Sequence, residues 1–407
     1  MNLKIIISAC ALLYTAFAQA AELSQHDFLK IVDEVSVNNK DFAAASARHQ
    51  FTLADISLSN RLDAPQLAFG HIWGQRGIGT KWHLEASQSF EWPGLYRARS
   101  RANQLLSQAS AASVARSLYI TRLSVAQALI DVIYYRKLSA LYADNLQRVD
   151  SLLSLYQRGY NMGEISILDV NKLKIERISA NRALQDALQN SVEAEGNLLR
   201  LNGDDAQSIK TILPRLTEFP DCNLLPPASY VDWAQTNNPE LLYIQSQEKV
   251  AEAQIKVAQQ SRYPGFSLAL THDYELGDHF NGFSVGITLP FLTAGKNVES
   301  ARLNAIALQA EAEALRASLR ASTEVMYSKA LMLYDEQLQY SKVLADDQSV
   351  RLLNLALRQG QITLIDYMLQ VNFFTEAQAT YITTRYQYLL AAMALNLQTL
   401  PADFSTH

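Results

Sequence analysis

Four segments of the chain alternate apolar with polar or small residues at a period of two. In the clearest of them, Phe283, Val285, Ile287 and Leu289 alternate with glycine, serine and threonine. Successive side chains of a strand point to opposite faces, so this period predicts a strand with one apolar face. The predicted strands are about 65–73, 82–91, 265–274 and 280–290. Such faces are typical of a membrane barrel wall, with lipid outside and water inside, but a soluble β-sandwich alternates in the same way.

Two longer stretches, 95–158 and 296–359, have helical spacing and contain neither glycine nor proline. Each is 64 residues long, which as a helix extends about 95 Å, several times the usual helix length. Small and apolar residues recur every three or four positions, and this spacing predicts a coiled-coil-like seam. In the second stretch the seam residues are Ala301, Ala305, Leu308, Ala312, Leu315 and Leu319.

The two halves of the chain carry the same predicted order of helix, strand, strand, long helix, helix. Segment 163–170 resembles 360–367 at an offset of 197, and Asn39 precedes Asn238 by 199. Offsets that stay near 200 predict a tandem duplication. We assign residues 21–203 to the first repeat, 204–229 to an inter-repeat linker, 230–400 to the second repeat and 401–407 to a C-terminal tail. The predicted fold class is mainly α with a small β part.

Four strands cannot close a barrel, since about eight are the minimum. A barrel wall would therefore be shared between chains. The alternation by itself leaves open a dimer of eight strands and a trimer of twelve.

The N-terminus has the features of a secretion signal at residues 1–20. Lys4 precedes an apolar run, and Ala18-Gln19-Ala20 is a small-x-small cleavage site. We expect ordinary cleavage rather than lipidation at Cys10, because only two residues separate Lys4 from the segment 7–10. Cys222 would then be the only cysteine.

Composition and motifs indicate no catalytic chemistry. The net charge of −5 gives no electrostatic footprint for nucleic acid. Gly282-Phe283-Ser284-Val285-Gly286 matches a hydrolase motif, but that motif needs a sharp strand-to-helix turn, and here the alternation continues to Leu289. The histidines show no metal-ligand spacing, and we interpret those near the strands as polar or interfacial residues. We predict no catalytic site, metal site or cofactor.

Two local patterns resemble a known family. One is segment 87–94, leading into Arg97 and Arg99; the other is 289–292, followed by Gly295-Lys296 and by 299–302. Together with the duplicated order, they make the chain similar to the TolC family of outer-membrane efflux proteins over essentially the whole mature chain. The patterns look closest to the heavy-metal branch of CzcC and CusC. Leu95-Tyr96 departs from that branch, where Lys-Arg is usual.

The resemblance implies a homotrimer whose twelve strands form one outer-membrane β-barrel, surrounded by lipid. The long helices would form a periplasmic α-barrel tunnel roughly 100 Å long. The tunnel would dock on a periplasmic adaptor and an inner-membrane pump of the resistance-nodulation-division (RND) type. The chain would be a passive exit duct, with heavy-metal cations as the first choice of cargo. Organic-drug efflux and type I protein secretion stay open, as does, more distantly, a periplasmic coiled-coil adaptor.

In the family, the helix–turn–helix tips carry the adaptor contact and the aperture. Here they are 158–169 and 358–366, where glycines would allow tight turns and Ser166 and Thr363 could cap the next helix. The candidate tip residues are Arg158, Gly159, Gly163, Ser166, Asp169, Arg358, Gly360, Thr363 and Asp366. They could also be turn and cap residues and nothing more. Asp169 and Asp366 from three chains would place six carboxylates at the aperture, and such rings favour cations.

Overall fold

The computed structural model describes residues 23–75, 79–290, 294–344 and 348–399. The predicted signal peptide and C-terminal tail lie outside the described residues, as does part of the motif at 289–292. The described chain is mainly helical and contains one small antiparallel sheet, which confirms the predicted fold class at this level.

The sheet has four strands in the order of the sequence. They are β1 (Gln66–Trp73), β2 (Thr80–Phe90), β3 (Gly265–Glu275) and β4 (Asp278–Thr288). The pairing of β2 with β3 runs from Lys81 opposite Glu275 to Phe90 opposite Phe266 and joins the two halves of the chain. β4 begins two residues before the predicted start, because Leu276 and Gly277, both at positive φ, form a two-residue turn.

The strand register places the apolar side chains on one face of the sheet. Leu67 lies opposite Ala86, and Leu270 lies opposite both Ala86 and Phe283. The side chains of this face are largely exposed: Leu67 79%, Phe69 68%, Leu270 62%, Phe283 75%, Val285 63% and Ile287 61%. An apolar surface of this kind marks a site of interaction with lipid or with another protein.

In the order of the sequence, helices precede and follow the pair of strands in each half of the chain. They are α1 (Gln25–Asn38), α2 (Lys40–Ser59), α3 (Pro93–Asn161), α4 (Ile167–Leu201), α5 (Ala206–Ile212), α6 (Pro227–Thr236), α7 (Pro239–Gln260), α8 (Ala294–Leu344), α9 (Gln348–Arg358) and α10 (Leu364–Gln398). The stretch predicted as one helix over 296–359 is described as α8 and α9, with 345–347 outside the described residues. No helix in the described ranges is both long and apolar enough to cross a membrane.

Corresponding asparagines begin α2 and α7. The side-chain oxygen of Asn39 accepts hydrogen bonds from the amides of Asp41 and Phe42, at 2.9 and 3.1 Å. That of Asn238 accepts from Glu240 and Leu241, at 2.9 and 3.4 Å. An asparagine at this position satisfies amides that the first helical turn leaves unpaired. The tandem duplication is our explanation of this correspondence.

The chain forms two compact units, each with segments from both halves. The first unit contains described residues 23–43, 118–233 and 321–399, and the second contains 44–117 and 234–320. The second unit holds the sheet. The first has the larger apolar core, in which Phe28 of α1, Ile133 of α3, Leu198 of α4 and Leu395 of α10 are fully buried.

The inter-repeat linker is an integral part of that core. Ile212, Leu216, Phe219 and Cys222 each keep 4% or less of their surface exposed. The ring of Phe219 is close to two cations, with its centroid 5.6 Å from Lys137 Nζ and 5.7 Å from the Arg385 guanidinium carbon. The four prolines of the linker suggest a simple connection, but its apolar residues pack against α3 and α10.

Burial determines the chemistry of the thiol in this linker. Desolvation raises the pKa of Cys222 to about 12, although the Asn396 side-chain amide donates to its sulfur at 3.2 Å. Thiolate is the reactive form of cysteine. We expect a water-soluble thiol reagent at pH 8 to leave Cys222 unmodified in the native protein and to modify it after denaturation, as followed by mass spectrometry. A Gln207→Cys variant, with an exposed cysteine on α5, is the positive control. Native labelling of Cys222 at the rate of that control would contradict the packing of the linker.

Candidate functional site at the helix turns

The turn between α3 and α4 has a left-handed glycine cap. Gly163 has a φ of +78°, which an L side chain rarely adopts. The amide of Glu164 donates to the carbonyl of Gly159 at 2.9 Å, and the amide of Gly163 donates to that of Tyr160 at 2.9 Å. This pair of bonds is the Schellman motif, which satisfies the carbonyls at a helix end.

The turn between α9 and α10 is built in the same way. Gly360 has a φ of +68°. The amide of Gln361 donates to Ala356 at 2.9 Å, and that of Gly360 donates to Leu357 at 3.1 Å. Gly163 and Gly360 therefore have the same role in the two segments that the sequence matches.

Gly159 differs from the prediction, because it does not form the turn. It lies inside α3, which ends at Asn161. A Cβ atom at this position would be 2.5 Å from Cδ1 of Ile165. The position therefore accommodates the close approach of Ile165 and needs no unusual backbone angle.

Ser166 and Thr363 cap the following helices, as the sequence predicts. Ser166 Oγ accepts a hydrogen bond from the Leu168 amide at 3.2 Å. Thr363 Oγ1 accepts from the Asp366 amide at 3.1 Å, while the Asp366 carboxylate accepts from the Thr363 amide at 3.4 Å and from its hydroxyl at 2.7 Å. The second turn thus has a reciprocal capping box that the first lacks.

The two aspartates consequently have different partners. The Asp169 carboxylate forms an ion pair with Lys172 at 3.1 Å and is about one-third exposed. Asp169 also acts on Tyr156 of α3: burial raises the pKa of Tyr156, and the negative charge of Asp169 raises it further. Asp366 belongs to the capping box. The carboxylate ring at an aperture stays a prediction, and Lys172 is a nearby cation that the sequence analysis did not consider.

Polar contacts connect neighbouring helices beyond the turns. The Asn372 side-chain amide donates to Glu176 at 3.0 Å, which joins α10 to α4. Arg177 pairs with Asp150 of α3 at 2.6 Å. These residues were not predicted from the sequence, although Glu176 and Asn372 occupy nearly equivalent positions of the two predicted repeats.

Both turns also expose large apolar side chains, which sequence analysis did not single out. Leu168 is 66% exposed and its equivalent Ile365 is 55% exposed. Met162 and Leu369 are each 67% exposed. The exposed Arg158 and Arg358 precede the two turns. The offset of 197 between Leu168 and Ile365 is the signal that could have identified the apolar pair.

The hydrolase-like motif at 282–286 does not form a nucleophile elbow. Ser284 lies within β4, opposite Ala269, and the strand continues to Thr288 without the sharp turn of a nucleophile elbow. Across the described ranges, no three histidine, cysteine, aspartate or glutamate side chains could together hold a metal ion.

Comparisons with known proteins agree with this architecture. No protein-family model and no curated protein matches the sequence. Among solved structures, the outer membrane protein VceC from Vibrio cholerae matches with a TM-score of 0.71 at 15% identity, over 92% of this chain and 96% of that one. The Campylobacter jejuni CmeC outer membrane channel matches with a TM-score of 0.70 at 14% identity, over 92% and 88%. The chain has the fold of these outer-membrane proteins.

A further match bears on the predicted heavy-metal branch. CusC, described as forming a transmembrane channel, matches with a TM-score of 0.66 at 14% identity, over 92% of both chains. This score is below those of VceC and CmeC, so the likeness gives no reason to place the chain nearer to CusC. The mainly helical fold with a small four-stranded antiparallel sheet, which the resemblance implies for one chain, is confirmed, and the heavy-metal branch stays a prediction.

The capping box yields a test of how the second turn is held together. We expect Thr363→Ala to free the Asp366 amide and destabilise the start of α10 by about 1 kcal/mol. Hydrogen exchange of the amides at 364–367 should become several-fold faster. Thr363→Ser, which keeps the hydroxyl, is the control and should exchange like the wild type. Unchanged exchange in Thr363→Ala would mean that other contacts hold the turn.

Proposed function

We propose that the chain is the outer-membrane channel of a tripartite efflux system and acts as a passive exit duct. The observation that carries the proposal is the exposed apolar face of the four-stranded sheet, in a chain with the fold of outer-membrane proteins. Most of the opposite face is polar or small, with Ser267, Ala269 and Ser284 in adjacent strands, and its apolar exceptions, Ile72 and Phe280, lie towards the hairpin ends. This division suits a wall between lipid and water.

Strand length and aromatic positions support a membrane crossing by the sheet. β2, β3 and β4 have 11 residues each, and a tilted transmembrane strand needs about 9–11. Trp82 stacks on Tyr274 near the hairpin ends, with ring centroids 5.8 Å apart. Trp92 stacks on Tyr263 beyond the other end of the strands, at 5.1 Å. Aromatic residues flank the apolar band of membrane barrels in this way.

Assembly from three chains is part of the proposal. One chain supplies four strands, and β1 and β4 are the edges of its sheet. Three copies would supply twelve strands, enough for a water-filled pore, and their edges would pair with one another. The long helices would form the periplasmic tunnel.

The helix turns are the proposed docking surface for a periplasmic adaptor, which links the duct to an inner-membrane RND-type pump. Leu168, Ile365 and Leu369 would provide apolar contacts, while Arg158 and Arg358 would add charge. The fold likeness over 92% of the chain favours the duct over the alternative that this chain is itself an adaptor.

Heavy-metal cations are the cargo that we propose first, because segment 87–94 and the pattern formed by 289–292, 295–296 and 299–302 resemble the heavy-metal branch. Organic compounds and secreted proteins are the alternatives. If a strain that lacks the protein loses resistance to organic compounds but keeps its resistance to metal salts, organic compounds are favoured as the cargo.

The location and assembly can be tested on the purified protein. We expect it in the outer-membrane fraction, with the mass of three mature chains in mild detergent. Val285→Arg should reduce the amount of assembled trimer, because arginine on a lipid-facing strand position costs about 2–4 kcal/mol at the bilayer centre. Ser284→Arg, one residue away on the opposite face, is the matched control and should assemble. A soluble periplasmic monomer would overturn the duct and favour the adaptor.

The aperture ring can be tested by single-channel recording. We expect Asp169→Asn with Asp366→Asn to lower the cation-to-anion permeability ratio, because up to six carboxylates lose their charge in a trimer. Lys172→Gln should raise the ratio, since it removes the cation 3.1 Å from Asp169. Asp186→Asn, on the same helix as Asp169 but farther from the turn, is the control. Unchanged selectivity in the double variant would contradict the ring.

A further inference from the structure

Two histidines of the β3–β4 hairpin direct ring nitrogens towards each other. His272 Nε2 and His279 Nδ1 are 3.3 Å apart, which is a hydrogen-bond distance, and the ring centroids are 5.3 Å apart. The strand register places His272 opposite Asn281 and His279 opposite Tyr274. The two histidines are therefore diagonal neighbours on the same face of the sheet, within reach of one another.

Asn281 holds one of the two rings. His272 Nδ1 is 2.6 Å from the side-chain oxygen of Asn281. An amide oxygen only accepts hydrogen bonds, so His272 Nδ1 carries the hydrogen and Nε2 keeps its lone pair. A histidine that binds a metal is usually oriented in this way, with its other nitrogen donating to an oxygen.

The separation of the facing nitrogens suits a tetrahedral metal ion. Zinc–nitrogen bonds of about 2.0–2.1 Å at a tetrahedral angle place two ligand nitrogens roughly 3.3–3.4 Å apart. We propose that His272 and His279 form a binding site for a divalent transition-metal cation, with Zn²⁺ as the best geometric fit. His272 Nε2 and His279 Nδ1 are the two ligand atoms, and Asn281 is a positioning residue. The ion replaces the hydrogen bond between the two rings, and His279 then carries its hydrogen on Nε2.

The remaining coordination positions are left for water. Within the described residues, no third histidine, cysteine, aspartate or glutamate completes a metal-binding group. The proposed site therefore has two protein ligands, and a bound ion would exchange readily with solvent. The Trp82 ring lies 5.1 Å from the His272 ring, and the Tyr274 ring lies 5.1 Å from the His279 ring. These aromatic rings flank the site and provide a spectroscopic probe beside it.

The proposed metal site and the proposed cargo path lie on opposite faces of the sheet. His272 and His279 share the apolar face of the sheet with Leu270 and Phe283, whereas Ser284 belongs to the other face. His279 is exposed and is the second residue after the turn at Leu276-Gly277. A bound ion would link β3 to β4 next to this turn. The proposal depends on the geometry of the hairpin and not on the nature of the cargo.

Metal titration of the detergent-solubilised full-length protein, with any affinity tag removed, tests the site. Zn²⁺ binding is measured by calorimetry. Cu²⁺ binding is measured by quenching of tryptophan fluorescence, since Trp82 is close to His272. We expect one saturable site per chain, and His279→Gln should weaken binding at least about tenfold. Asn281→Ala should weaken it by about tenfold as well, and Asn281→Asp should strengthen it, because a carboxylate raises the basicity of the ligand that it orients.

His71→Gln is the matched control. His71 is a third histidine on the same face, and its ring contacts Trp73 at 4.8 Å, so it resembles the proposed ligands without facing another histidine nitrogen. It should bind both metals like the wild type. Equal affinity in His279→Gln and the wild type, or an equal loss in His71→Gln, would overturn the site. The gain expected for Asn281→Asp tests the proposal even if His279→Gln fails to fold.

Discussion

Ten consecutive residue pairs between β2 and β3 join the two halves of the chain, and the sheet depends on them. The paired residues are between 176 and 194 positions apart in the sequence, so the entropy cost of bringing them together is large compared with that of a hairpin. β1 and β4 each add to this central pair through a short connection. The apolar residues of all four strands share one face only because the β2–β3 register is correct, since a slip of one residue would move a strand's side chains to the other face.

That face gives the single chain an incomplete surface. Side chains such as Leu67, Phe283 and Val285 are mostly exposed, and both edge strands have unpaired backbone groups. In the proposed assembly, lipid would cover the apolar side chains, and the strands of further copies of the chain would pair with the edge strands. The same face changes chemistry towards the β3–β4 turn, where Trp82, Tyr274 and the two facing histidines replace aliphatic residues.

The two helix turns share a backbone conformation but differ in the interactions of their side chains. Both end the first helix with a left-handed glycine and cap the next helix with a hydroxyl. Asp366 is used in a capping box, whereas Asp169 pairs with Lys172. The exposed charge of the two turns therefore differs, although their sequences align. An aperture lined by both would combine six carboxylates with three lysines in a trimer.

The sequence alone was sufficient to predict those features that depend on neighbours along the chain. A period of two showed the strands and their faces, because strand side chains alternate. The turns were predictable because Gly163, Gly360, Ser166 and Thr363 act on amides and carbonyls within a few residues. The seam residues predicted for the second long stretch are partly or fully buried: Ala312 is buried, and Ala301, Ala305, Leu308, Leu315 and Leu319 are half-buried.

Tertiary structure decided what those patterns pack against. Gly159 was assigned to the turn, yet it accommodates Ile165, a contact that spacing does not reveal. The linker's prolines gave no sign that Phe219 and Cys222 enter the core. The bridge from Asn372 to Glu176 and the approach of His272 to His279 depend on helix packing and on strand register. These relations involve free energies distributed over many residues, so no local segment of the sequence encodes them on its own.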